Sequence, residues 1–204
     1  MTFATLKADI AAYLKRDDLT SQILTFVKLA EDLIAADKRL RLRAMETASD
    51  LTITDRDTAL PTGFLGVRRL YLSGSPSTRL DFITPDDYWG RWGASSTGKP
   101  AVFTIEGENI LVGPVPDTTY TGKLLHWKRF TALSADSDTN WILENAYGLL
   151  LHGALLQAAP YLLNDPRLVT WSSLFDDLAD KLEQSNKFDR FGSGKMQRSE
   201  YTTA

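Results

Sequence analysis

The chain has 204 residues, 43% of them hydrophobic, with 23 Lys+Arg against 26 Asp+Glu and a formal net charge of -3. That length allows one domain or two small ones with ample material for a core, and the balanced, slightly acidic charge argues against tight general binding to a nucleic-acid backbone. Cysteine is absent, which excludes disulfides and Cys-based zinc sites and leaves packing alone to hold the fold.

The N-terminus lacks the basic-then-apolar layout of a signal peptide. Thr2 or Thr5 caps a first short helix whose apolar residues Phe3, Leu6, Ile10, Tyr13 and Leu14 share one face. Lys15–Asp18 breaks it, and Thr20 or Ser21 caps a second, longer helix. There Ile23, Phe26, Val27, Ala30, Leu33, Ile34 and Leu40 follow i, i+3, i+4 spacing. Lys38, Arg39, Arg41 and Arg43 are expected at its C-terminal end, where cations complement the helix dipole.

Residues 45–133 read as β. Leu51 and Ile53 alternate with Thr, a Pro-Thr-Gly turn precedes a strand over Val67–Leu72, and Ser73–Pro76 is a further turn. Ala101–Ile105 and Ile110–Val112 form a hairpin about Gly107-Glu108-Asn109. A strand covers Tyr120–Phe130, and a short helix over Pro85–Trp92 interrupts the sheet.

The remainder, 134–191, is helical again. Thr139 or Asn140 caps a segment, Trp141–Leu163, whose one formal charge is Glu144. It is long enough to raise a transmembrane question. Asn145, His152, Gln157 and Pro160 are costly in lipid, so it reads as a buried helix that Pro160 kinks or ends. Greasy on most of its circumference, it needs cover on more than one side, from the chain's own helices or from neighbouring subunits. Asn164 or Asp165 before Pro166 starts a last helix, with Leu168, Trp171, Phe175, Leu178 and Leu182 on one stripe. Residues 192–204 hold almost nothing apolar and are expected to be a flexible tail. The fold class is α+β: a helical bundle from 1–44 and 134–191 around a β-rich insertion, 45–133.

Motif readings are weak. Phe191–Lys195 fails as a phosphate loop, with Asp189 where Gly is needed and Met196 where Ser or Thr is needed. Asp136–Asn140 fails as a calcium loop, with Trp141 at the sixth position and Tyr147 at the twelfth. Asp86 and Asp87 are the carboxylate pair to weigh as acid and base, with His126 near a cleft in a small hydrolase or ligand-binding enzyme. Helix capping accounts for both acids. His126 and His152 lie in no metal-ligand spacing. For Tyr88, Trp89 and Trp92 two readings stay open, a lid on the β part and a contact patch. For the basic run they are a solvated helix end, an ion-pair site between subunits and, third, nucleic-acid contact, which the missing interleaved aromatics and the acidic chain disfavour. A DNA-contacting packaging accessory is a third functional class, and salt-sensitive duplex affinity separates it.

The order of elements, with Leu60, Pro61, Gly63, Phe64 and Leu65 in one turn and Asn140, Trp141 and Ala158–Leu163 in the apolar segment, resembles the head-to-tail adaptor (connector) proteins of tailed bacteriophages. The resemblance spans about Leu6 to Leu182. It implies a structural virion protein at the neck, made and assembled in the host cytoplasm, with no catalytic residue, cofactor or metal and no membrane. Its partners would be the portal protein, the tail or nozzle/stopper proteins, and copies of itself in a twelvefold ring that continues the DNA channel. Packaged DNA would pass without specific binding. Twelve copies at -3 would carry about -36, an electronegative conduit. Contacts to the portal fall by this resemblance on Phe188, Phe191, Lys195, Met196, Arg198 and Tyr201. Contacts between subunits fall on Arg39, Arg41, Arg43, Tyr88, Trp89 and Trp92.

Overall fold

The computed structural model describes residues 1–92, 96–162 and 165–191. Among the described residues the fold is mixed α+β, with six helices and one seven-stranded sheet, and the chain divides into two compact units. One holds Met1–Ala44 with the chain from Phe130 onward; the other is Met45–Arg129. Among the described residues no helix is long and apolar enough to cross a membrane.

In the helical unit, α1 (Phe3–Leu14) starts at Thr2, whose hydroxyl accepts from Thr5 N, and ends at Lys15 with φ 55. Helix α2 (Thr20–Ala36) corrects the expected cap: Leu19 holds that position without a side-chain bond, and the Thr20 hydroxyl donates to the Asp17 carbonyl instead. The basic run also moves. Helix α2 stops at Ala36, and Asp37 opens a 3-10 turn, Lys38–Leu40, so Leu40 is buried from outside the helix.

The apolar segment is not one helix. Asn140 caps α4 (Trp141–Asn145) by accepting from Leu143 N at 2.9 Å. The Asn145 amide then donates to the Trp141 carbonyl, a local bond that competes with helix continuation. The chain leaves helical geometry at Ala146 (φ -137, ψ 42) and restarts as α5 (Tyr147–Gln157). Pro160 sits in a 3-10 turn, Ala159–Tyr161, beyond the end of α5. Helix α5 buries Leu149, Leu150, Leu151, Gly153, Ala154 and Leu155, a set that runs around most of its circumference. Its cover comes from α1, α2 and α6 (Arg167–Phe191). At Gly153 the approach is close: an added Cβ would stand 3.2 Å from both Ala30 Cβ and Phe175 Cε2. Helix α6 is started by Asp165, which accepts from Arg167 N and holds the Arg167 guanidinium. It buries Trp171, Phe175 and Ala179, while Leu168, Leu178 and Leu182 are partly covered.

The other unit is a nearly closed sheet of β1 (Glu46–Ile53), β2 (Asp57–Ala59), β3 (Phe64–Leu72), β4 (Thr78–Phe82), β5 (Val102–Glu106), β6 (Asn109–Gly113) and β7 (Tyr120–Lys128). The order is β1-β7-β3-β4-β5-β6-β2, so the two edge strands are consecutive in the chain and meet again. All pairs are antiparallel except β4–β5. A parallel pair cannot be joined by a tight turn. The β4–β5 connection contains α3 (Pro85–Trp92). The inside is filled by Ile53, Leu70, Leu72, Leu80, Phe103, Ile110, Val112 and Leu124. The β5–β6 turn is Gly107-Glu108, with Gly107 at φ +59, where a side chain would be strained.

Candidate interaction surfaces

Helix α3 lies against β5 and β6. Thr84 caps it: its hydroxyl donates to Asp87 Oδ2 at 2.9 Å and accepts from Asp87 N at 3.2 Å. Tyr88 has no exposed surface, and its hydroxyl donates to the Val112 carbonyl at 2.9 Å. Burial pushes its pKa up. Trp92 presses on Gly113, where an added Cβ would lie 2.9 Å from Trp92 Cγ. Of the three aromatics, Tyr88 is core and Trp92 is half-buried against a strand, as the lid reading has it, and the contact-patch reading keeps only Trp89 open. Trp89 is 46% exposed; its ring stands edge-on to Tyr88, donates its Nε1–H to Glu106 at 3.1 Å and carries Arg56 at 5.5 Å. Phe82, at 56% exposure, adds a second open aromatic on the sheet, edge-on to Phe103.

The basic residues after α2 are anchored within their own chain. Arg39 meets Asp37 at 2.7 Å, Asp176 at 3.0 Å and Asp180 at 2.8 Å, so the 3-10 turn is tied to α6. Hydrogen bonds to Asp37 and Asp176 hold the guanidinium firmly charged. Burial alone would raise Asp37, but the bonds from Arg39 bring its pKa below the usual carboxylate range. Arg41 donates to the Ala35 carbonyl at 2.7 Å. Asn186, 9% exposed on α6, accepts from Arg43 N at 2.7 Å and donates to the Arg41 carbonyl at 3.1 Å. The signal for the first anchor was present as the acids Asp176 and Asp180 on α6; nothing in the sequence singles out Asn186.

The Leu60–Leu65 turn is held from two sides. Leu60 N donates to the Glu108 carbonyl at the β5–β6 turn, and Arg129 N donates to the Gly63 carbonyl, both at 2.8 Å. Gly63 has φ +76. A cleft of about 610 Å³ opens between this turn and Gly107-Glu108-Asn109.

The acid–base trio does not assemble. Asp86 and Asp87 are exposed at the start of α3. His126 is 0% exposed on β7 and stacked on Phe64 at 5.6 Å. Burial lowers its pKa, the nearby Lys128 charge adds to that, and the Leu124 backbone opposes it. Hidden from solvent, His126 cannot meet a substrate. Among the described residues no group of three or more His, Asp or Glu side chains could hold a metal. Phe188 is 65% exposed near the end of α6. Lys195, Met196, Arg198, Tyr201 and the Phe191 side chain lie outside the described residues.

The sequence model of the SU10 adaptor protein family matches residues 1–198. The chain belongs to that family. SU10 adaptor proteins are structural bacteriophage proteins and components of the virion. No curated protein matches the chain.

Proposed function

We propose that this SU10 adaptor protein is the head-to-tail adaptor of its phage: a ring, twelvefold in the virion, that docks on the portal at the neck, meets the tail or nozzle/stopper proteins below and continues the DNA channel. The observation that carries the reading is the family match over 198 residues. In this reading the two units are working domains, a helical bundle and a β barrel, and the residues from Gly192 form a tail that reaches the portal. Phe188, Phe191, Lys195, Met196, Arg198 and Tyr201 contact the portal. Trp89 and the edge of Trp92 are subunit contacts, while Arg39, Arg41 and Arg43 brace the helical unit. The acidic ring lets DNA slide without sticking.

The test is co-sedimentation with the portal protein of the same phage at micromolar concentration. Association is expected; its absence counts against docking. Deleting Gly192–Ala204 should weaken docking and leave the thermal unfolding profile unchanged, and undiminished docking removes the tail from the mechanism.

A further inference from the structure

Helix α6 is fastened in two different ways along its length. As far as Ala179 it is held by apolar burial, through Trp171, Phe175 and Ala179. Beyond Ala179 it runs on to Phe191, and among the described side chains of that stretch only Asn186 is buried. Leu182 and Glu183 are half-buried and the others are exposed. Asn186 holds the chain where it leaves the helical unit: Oδ1 accepts from Arg43 N at 2.7 Å and Nδ2 donates to the Arg41 carbonyl at 3.1 Å. The unit ends at Ala44, and the chain returns to it at Phe130.

Both crossings border the same space within the helical unit. A groove of about 600 Å³ opens beside Asn186, with Leu42, Arg43 and Ala44 on one wall and Trp141 of α4 on another. The Trp141 ring lies parallel to that of Phe130, with centroids 5.7 Å apart. The end of α6, the outgoing chain and the ring stacked on the returning chain thus meet at one open groove. A helix end held by two hydrogen bonds and little apolar burial belongs to the part of a fold that opens locally while the core stays closed. The groove admits water to Arg43 N and the Arg41 carbonyl once Asn186 leaves them.

We propose that the Asn186 clamp is a release: it ties the outgoing chain to α6 in the free subunit and opens when a partner engages the end of α6, loosening the crossing into the β unit. The inference rests on the docking reading, which brings the portal to this end of α6 through Phe188. Phe188 is 65% exposed and lies two residues past Asn186, within the same helical turn. A partner that grips its ring and turns or lifts that part of α6 draws Asn186 off both backbone groups. Such a partner shifts the equilibrium because it binds the open form more tightly than the closed one.

Hydrogen exchange of the full-length wild type, alone and docked on the portal of the same phage, reports the clamp directly, because Arg43 N–H makes one of its two bonds. Exchange over residues 41–45 should speed up on docking. Full-length Asn186→Ala is the second measurement. With no clamp to open, it should dock about five-fold tighter than wild type or more, the low end of couplings between sites. A side chain that only supports the fold gives equal or weaker docking when it is removed. Exchange over 41–45 that is unchanged or slower in the docked complex overturns the release, and so does Asn186→Ala docking no tighter than wild type; either result leaves the docking reading standing. Where Asn186→Ala fails to fold, the wild-type exchange decides alone. A wild type that does not bind the portal overturns the docking reading and this inference with it.

Discussion

Gly113→Ala tests whether α3 is seated on the sheet by the absence of a side chain. The added Cβ would lie 2.9 Å from Trp92 Cγ and 3.2 Å from Trp92 Cβ and Cδ1. These atoms are the root of a side chain fixed on a helix, so the contact is not relieved by moving a flexible end. Forcing a methyl group into packed space costs about 1–3 kcal/mol. Replacing Gly in a strand returns about 0.5–1 kcal/mol, because Gly loses more backbone freedom on folding. The clash therefore wins, with a net loss near 1 kcal/mol, larger if the Tyr88–Val112 hydrogen bond breaks as α3 shifts. The assay is urea denaturation of the full chain in wild type, Gly113→Ala, Trp92→Ala and the double variant. In the Trp92→Ala background the Gly113→Ala change should become neutral or slightly stabilising. A Gly113→Ala protein as stable as wild type, or an equal loss in both backgrounds, refutes the reasoning.

Removing the Arg39 guanidinium with Arg39→Met should cost about 1 kcal/mol, the top of the range for exposed pairs, because three carboxylates share a group about a third exposed; the loss in thermal unfolding should shrink at high salt. Asn186→Ala leaves the Arg43 N–H and the Arg41 carbonyl without their side-chain partner, for a loss of about 1–3 kcal/mol in the same assay. His126 and His152 both have pKa values lowered by burial. The unfolded chain binds the proton first, so stability is full above the ordinary histidine pKa of about 6.5 and falls as pH drops below it. His126→Leu should flatten that decline in a pH series of denaturation curves, and an unchanged slope assigns the decline elsewhere.

Elements whose signal is local were readable. Helices α1 and α2 show their apolar face at helical spacing, and the β5–β6 turn is marked by Gly107. Helix α3 is marked by Thr84-Pro85 and its acids. What depends on distant partners was not. The break at Ala146 contains no Pro or Gly and rests on one Asn145 side chain bonding the Trp141 carbonyl. The early end of α2 depends on Asp37 capping a 3-10 turn that Arg39 ties to residues 137 and 141 positions later. Tyr88 and Trp89 are adjacent and chemically alike, yet one is sealed and the other nearly half open. Only the placement of α3 over β5 and β6 separates them. The strand order, with β1 beside β7 and β4 parallel to β5, leaves no local trace.

The apolar segment Trp141–Leu163 bears differently on assembly once its cover is known. A continuous greasy helix in a small chain would call for neighbouring subunits. Here α5 is short and wedged at Gly153 between Ala30 of α2 and Phe175 of α6, and α1 closes another side. The chain thus hides its most apolar element itself, as a small unit must to stay folded before it meets a partner. What the helical unit leaves open is the outer flank of the helices that do the covering, at Leu29, Leu174 and Phe188. Burying α5 fixes which faces of α2 and α6 point inward, and so fixes which faces stay exposed.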